Sequence, residues 1–139
     1  MQIKKIYPSQ LEQVTRICQD TVNVFREYYS QTLGNEKTNT FIQYVELMAG
    51  EAFCNAVRHA GGQGFGKYVI IHIKCQETQF EIIVKDQNPE FDFSRMPEPD
   101  FASVPEKGYG IYIIKKLADE VQYQRENNWN VLTIVKYIT

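Results

Sequence analysis

The hydrophobic period changes partway along this chain, and that change constrains the fold more than any other feature. In KYVIIHIKC (67–75), Val69, Ile71, Ile73 and Cys75 share one face of an extended segment. In FEIIVKD (80–86), Phe80, Ile82 and Val84 do the same. Only Glu77-Thr78-Gln79 lies between the two runs beyond Gln76, so they read as an antiparallel pair. A sheet with one apolar face needs a second layer to cover it.

The covering layer is written upstream at helical spacing. Leu11, Val14, Cys18, Val22, Phe25 and Tyr29 recur with a helical period and predict a helix to about residue 30. Ser9-x-x-Glu12 has the form of a capping box at its start. QTLGNEKTNT reads as a loop, and Thr40-x-x-Gln43 as a second capping box. The next helix is expected over about 40–60, with Ile42, Val45, Ala49, Phe53, Ala56 and Ala60 inward and Gly61-Gly62 ending it. QIKKIY (2–7) reads as a short edge strand, stopped by Pro8. After residue 108 a short helix, IYIIKKLAD, turns Ile111, Ile114 and Ala118 inward, and a hairpin, VQYQR–NNWN–VLTIVKYI, closes the chain. The expectation is an α+β fold, a two-layer α/β sandwich with helices on one face of a mixed, mostly antiparallel sheet of four or five strands.

Composition narrows the class of function. The chain has 139 residues, 43% hydrophobic and 23% charged, with net charge −2, which suits a single domain spanning 1–139. No basic run stands out, which argues against direct nucleic-acid binding. No apolar run is long enough to span a bilayer, and MQIKKIYPSQLEQ carries no signal-peptide core, so the expected location is the cytoplasm. Cys18, Cys54 and Cys75 are three and widely spaced, which reads as reduced, mostly buried thiols rather than a disulfide framework or a zinc site.

Candidate site residues gather in four places. GEAFCNAVRHA (50–60) sets Glu51, Asn55 and Arg58 on one narrow side of a helix: at about 100° per residue, Asn55 lies about 40° from Glu51 and Arg58 about 20° the other way. Alone, such a stripe is most often the solvated side of a helix. Asp86 ends a strand, where its carboxylate can accept from an exocyclic amine. Residues 87–107 hold four of the five prolines without regular period, a long loop of the kind that carries function. Gly108-x-Gly110 then opens a helix whose free amides favour phosphate.

In this order the motifs resemble the GHKL ATPase superfamily, and within it the small RsbW-like anti-sigma-factor serine/threonine kinases. Glu51-Ala-Phe-Cys-Asn55-Ala-Val-Arg-His59-Ala60 resembles the N-box. Asp86-Gln-Asn-Pro-Glu-Phe91-Asp92 resembles the adenine box, Lys107-Gly108-Tyr-Gly110-Ile111 the glycine box after the lid, and Asp119-Glu-Val-Gln-Tyr123 through Asn130-Val-Leu-Thr133 the closing box. The resemblance covers nearly the whole chain, most firmly 45–137, and implies the Bergerat, histidine kinase-like ATPase fold. It implies ATP and Mg²⁺ as cofactors, with Asn55 as the metal ligand and Glu51 as general base on a protein hydroxyl or water. Asp86 and Asn88 would lie at the adenine, 87–107 would form the ATP lid, and Gly108, Gly110 and Ile111 would hold phosphate through backbone amides. Lys107 reads either as a partner of the terminal phosphates or as a solvated lid lysine. Arg58 or His59 would support phosphate or lid packing.

The implied activity is phosphorylation of a serine on an anti-anti-sigma-like partner, together with binding of a sigma factor or similar effector, in a homodimer without direct nucleic-acid or membrane contact. One position departs from the pattern. Asn88 stands where the adenine box has glycine. Asparagine tolerates left-handed dihedrals, so the turn survives, and the question becomes whether its side chain leaves room for the purine. If it does not, the alternative is a partner-sequestering module with little or no nucleotide use.

Overall fold

The computed structural model describes residues 1–58, 67–88 and 109–138. Strand β1 (Gln2–Pro8) leads through a 3-10 turn (Leu11–Gln13) into α1 (Val14–Leu33) and α2 (Asn35–Arg58). The hairpin β2 (Tyr68–Cys75) and β3 (Gln79–Asp86) follows, and α3 (Tyr109–Leu117) precedes a second hairpin, β4 (Glu120–Glu126) and β5 (Trp129–Tyr137). The five strands stand in the order β1-β2-β3-β5-β4. All four pairings are antiparallel, so the expected mixed character of the sheet is not found among the described residues. Each hairpin pairs with itself, and the strand that follows Pro8's segment in space is the first of the β2–β3 hairpin, which leaves β1 at an edge. The architecture is α+β, with three α-helices on a five-stranded sheet among the described residues.

The period-two segments put Val69, Ile71, Ile73 and Cys75 of β2 and Phe80, Ile82 and Val84 of β3 in the core. Ile17, Phe25 and Tyr29 of α1 and Val45, Met48, Ala49, Phe53 and Val57 of α2 meet them from the helical layer. Phe25 anchors the contact: its ring lies 4.6 Å from Tyr29 and 5.1 Å, edge-on, from Phe80. Removing a ring so enclosed costs about 3–5 kcal/mol. The Tyr29 hydroxyl reaches the carbonyl of Gln76 at 2.7 Å and accepts from the Gln76 amide at 3.1 Å, which ties α1 to the β2–β3 turn.

Several local expectations are corrected. The stretch 31–40 is not a loop. α1 continues to Leu33, α2 starts at Asn35, and Gly34 alone makes the reversal with φ +81°, a left-handed value glycine adopts without Cβ strain. Thr40 is therefore inside a helix rather than capping one, and its hydroxyl bonds back to the Glu36 carbonyl at 3.2 Å. The Ser9 capping box does not form either. The Ser9 amide donates to the Lys67 carbonyl at 3.0 Å, continuing the β1–β2 pairing past Pro8, and the buried Ser9 hydroxyl has no partner among the described residues. Because α1 begins only at Val14, Leu11 is out of phase with it and exposed, Val14 and Cys18 are half-buried, and Ile17 and Val24 take core places. The expected helix end at Gly61-Gly62 lies outside the described residues.

Candidate nucleotide site

The polar stripe of α2 is not a solvated face. Its core side (Ala52, Phe53, Ala56, Val57) is buried as expected, yet Glu51 and Asn55 are themselves half-buried, because α3 packs along that side of α2; only Arg58 is exposed. The contact with α3 is close. A Cβ placed on Gly110 would lie 2.6 Å from Glu51 Oε2, so glycine at this position leaves the space the Glu51 carboxylate occupies. The first turn of α3, with its free backbone amides, therefore sits directly against Glu51. Ile111 and Ile114 fix this helix by their burial in the core.

One helical turn beyond Glu51, Asn55 faces a cleft. Its Nδ2 is buried and has no hydrogen-bond partner among the described residues. An unpaired buried amide costs about 1–3 kcal/mol, and such a group marks a place where a ligand completes the bonding. The cleft is lined by Asn55, Asp86, Tyr123 and Asn130 among Ala52, Ala56, Val84, Ile111 and Leu132. The space it offers to the centre of a water molecule is about 10 Å³, room for about one water.

Asp86 arrives there by strand geometry. It follows Phe80, Ile82 and Val84 on the inward face of β3, taking the place of the next core hydrophobe, and is 6% exposed. A buried carboxylate needs donors. Asp86 Oδ1 accepts from the Asn88 amide at 3.0 Å and from Asn130 Nδ2 at 2.8 Å. No described residue bonds its Oδ2.

Asn88 is buried as well, but its side chain does not line the cleft. Nδ2 donates to the Ala56 carbonyl in α2 at 2.6 Å, and Oδ1 accepts from Lys67 Nζ at 3.4 Å. The backbone at Asn88 is not left-handed; among the described residues only Asn127 and Asn128, at the β4–β5 turn, combine a side chain with positive φ. The turn after β3 thus survives by tying itself to α2, not by the left-handed tolerance of asparagine.

Lys107, Gly108 and His59 lie outside the described residues, as does the lid beyond Asn88. The residues that are described, Glu51, Asn55, Asp86, Asn88, Gly110 and Ile111, converge from α2, the end of β3 and the start of α3. Tyr123 and Asn130 were named from the sequence only as part of the closing box, with no role at the site, and Arg125 was not singled out. The signal was there for Asn130: it is in phase with Leu132 and Ile134 on β5, so an amide occupies a core-facing position.

These residues fit a nucleotide: the Asn55 amide, whose nitrogen is without a partner among the described residues and calls for an acceptor such as a phosphate oxygen, and whose oxygen would hold magnesium; a carboxylate with one oxygen that no described residue bonds; and a helix start where glycine leaves the space Glu51 occupies. A family described as histidine kinase-like ATPase domain matches residues 7–136. Proteins named serine-protein kinase RsbW from Bacillus thuringiensis (strain Al Hakam) and Bacillus cereus (strain AH820) are 30% and 31% identical to this chain over 105 residues. The corresponding protein of Bacillus anthracis (strain A0248) is 31% identical over the same length. Each match covers 70% of this chain and 64% of the relative. The chain belongs to the histidine kinase-like ATPase domain family, within which it is similar to the RsbW-type serine-protein kinases.

Proposed function

We propose that this chain is an ATP- and Mg²⁺-dependent protein serine/threonine kinase of the anti-sigma-factor type. The observation that carries the proposal is the contact between Glu51 and Gly110. It sets a carboxylate against the first turn of a helix suited to phosphate, one turn of α2 away from the unpaired Asn55 amide.

Each residue has a role in that reading. Asp86 Oδ2 accepts from the adenine amine. The amides of Gly110 and Ile111, with Gly108, hold phosphate oxygens, and Lys107 pairs with the terminal phosphates. The Asn55 amide oxygen holds magnesium, which when bound neutralises phosphate charge. Glu51 takes the proton of a serine hydroxyl as its oxygen bonds to the γ-phosphorus and the bond to the ADP oxygen breaks. The transferred proton ends on the Glu51 carboxylate, and ADP leaves.

The protein substrate is a serine of an anti-anti-sigma-like partner, and the second partner a sigma factor or similar effector, in the cytoplasm and with the kinase as a homodimer of single-domain chains. Transfer of labelled phosphate from ATP to a serine of such a partner tests this. Glu51→Ala is expected to bind ATP but transfer no label; transfer at the native rate by that variant would overturn the role of Glu51. The partner-sequestering alternative rests on Asn88 crowding the base; the bond of that side chain to the Ala56 carbonyl supports the kinase reading over it.

A further inference from the structure

A row of side chains runs across three strands at the end of the sheet beside the cleft. The register sets Asp86 of β3 opposite Asn130 of β5, and Asn130 opposite Arg125 of β4. Asn130 is 1% exposed and sits between an anion and a cation. Its Oδ1 accepts from Arg125 Nη1 at 2.8 Å and from the Tyr123 hydroxyl. Its Nδ2 donates to Asp86 Oδ1 at 2.8 Å and to the Asn88 carbonyl at 2.9 Å. Arg125 Nη1 also reaches the Asn88 carbonyl at 3.0 Å.

Only one orientation of the amide satisfies these four contacts together. Turned over, Nδ2 would face the Arg125 guanidinium, which can only donate, and Oδ1 would face a carboxylate and a carbonyl, which can only accept. The Tyr123 hydroxyl fits either orientation; Arg125 and the Asn88 carbonyl set a donor toward Asp86. That donor and the Asn88 amide both engage Oδ1, which leaves the other oxygen of Asp86 as the acceptor toward the cleft. An aspartate is free to rotate about its terminal torsion unless something holds it; here the holding group is Asn130.

We infer that Asn130, oriented by Arg125, is a positioning residue that sets base specificity: it holds Asp86 so that the cleft takes a purine with an exocyclic amine and discriminates against one with a carbonyl there. The inference rests on the nucleotide reading of the site. A base carrying a carbonyl oxygen in place of the amine would meet the free oxygen of Asp86 acceptor to acceptor, and a site built around a buried acceptor rejects the partner that cannot donate.

Binding of Mg-ATP and Mg-ITP to the purified full chain, measured by calorimetry, tests this. The native protein is expected to prefer ATP. Asn130→Asp replaces the donor facing Asp86 by a second carboxylate oxygen. Two adjacent carboxylates share a proton more readily than they both ionise, so the ATP-over-ITP ratio of this variant should fall about tenfold or more at pH 8 and recover toward pH 5.5. Arg125→Met, on an exposed residue, removes one orienting donor and should lower the ratio with ITP affinity little changed; it serves where the first variant fails to fold. Asp86→Ala supplies the value with no discrimination. If native protein prefers ATP and Asp86→Ala abolishes the preference, yet both Asn130→Asp and Arg125→Met keep it at all pH values, the inference is wrong and the nucleotide reading stands. If the native protein binds neither nucleotide, or both equally, the nucleotide reading fails and takes this inference with it.

Discussion

Substituting Gly110 by alanine separates catalysis from folding in this protein. The added methyl would lie 2.6 Å from Glu51 Oε2 and 3.6 Å from Glu51 Cβ and Cδ. Ordinary contact begins at 3.4 Å, so the carboxylate oxygen must retreat by about 0.8 Å. It can do so, because it is the far end of a flexible side chain and not backbone. Stability should therefore hold, and alanine in place of helical glycine favours the folded state by up to about 1 kcal/mol. Chemistry should not hold. A general base displaced by about 1 Å from its working position costs on the order of 10²-fold in rate. The expected result is a variant with a melting temperature equal to or above the native value and phosphotransfer about a hundredfold slower at saturating ATP. Single-turnover transfer to the protein substrate, alongside thermal unfolding, measures both. A folded Gly110→Ala protein that transfers phosphate at the native rate would refute the argument that Gly110 makes room for a working Glu51.

Two further predictions concern stability. Tyr29→Phe removes the hydroxyl that clamps the β2–β3 turn by its bonds to the Gln76 and Gln79 carbonyls and the Gln76 amide, at a cost of about 1–2 kcal/mol in denaturant unfolding; an unchanged midpoint would show that water replaces the hydroxyl without loss. Burial pushes the thiols of Cys18 and Cys75 from 9.0 up to about 11, and the hydroxyls of Tyr7 and Tyr29 upward too. The folded state holds these protons more tightly than the unfolded one, so the thiols' contribution is complete below about pH 9 and is lost as the pH rises through about 11, and the tyrosines' is complete below about pH 10 and is lost at higher pH still. Unfolding midpoints measured at pH 8, 10 and 11 should fall in that order, and a midpoint that stays level or rises would contradict the burial of these groups.

The sheet and its hairpins were legible because a period of two is a property of the strands themselves. Val69, Ile71, Ile73 and Cys75 had to face one way, and so did Phe80, Ile82 and Val84. The inward place of Asp86 follows from the same period. The helix boundaries were less legible, because a cap is a local pattern that a neighbouring element can override. Ser9 is drawn into the pairing of β1 with β2, and Gly34 compresses the expected loop into one residue. The start of α2 was hidden by its own exposure: Asn35, Glu36, Lys37, Asn39 and Thr40 face solvent and so carry no apolar period. The N-box pair was legible as a stripe, but not its burial, which depends on α3 arriving from sixty residues downstream. The row Asp86–Asn130–Arg125 needed the strand order and register, since Asn130 and Asp86 meet only once β5 is inserted beside β3.

The central claim is that the cleft between α2, β3 and α3 takes ATP through Asp86. Calorimetric titration of the native protein and of Asp86→Ala with ATP in excess Mg²⁺ tests it most directly. The account predicts saturable binding below millimolar ATP by the native protein and its loss in a folded Asp86→Ala variant. Absence of binding by the native protein at millimolar ATP, or equal binding by the two, would contradict it.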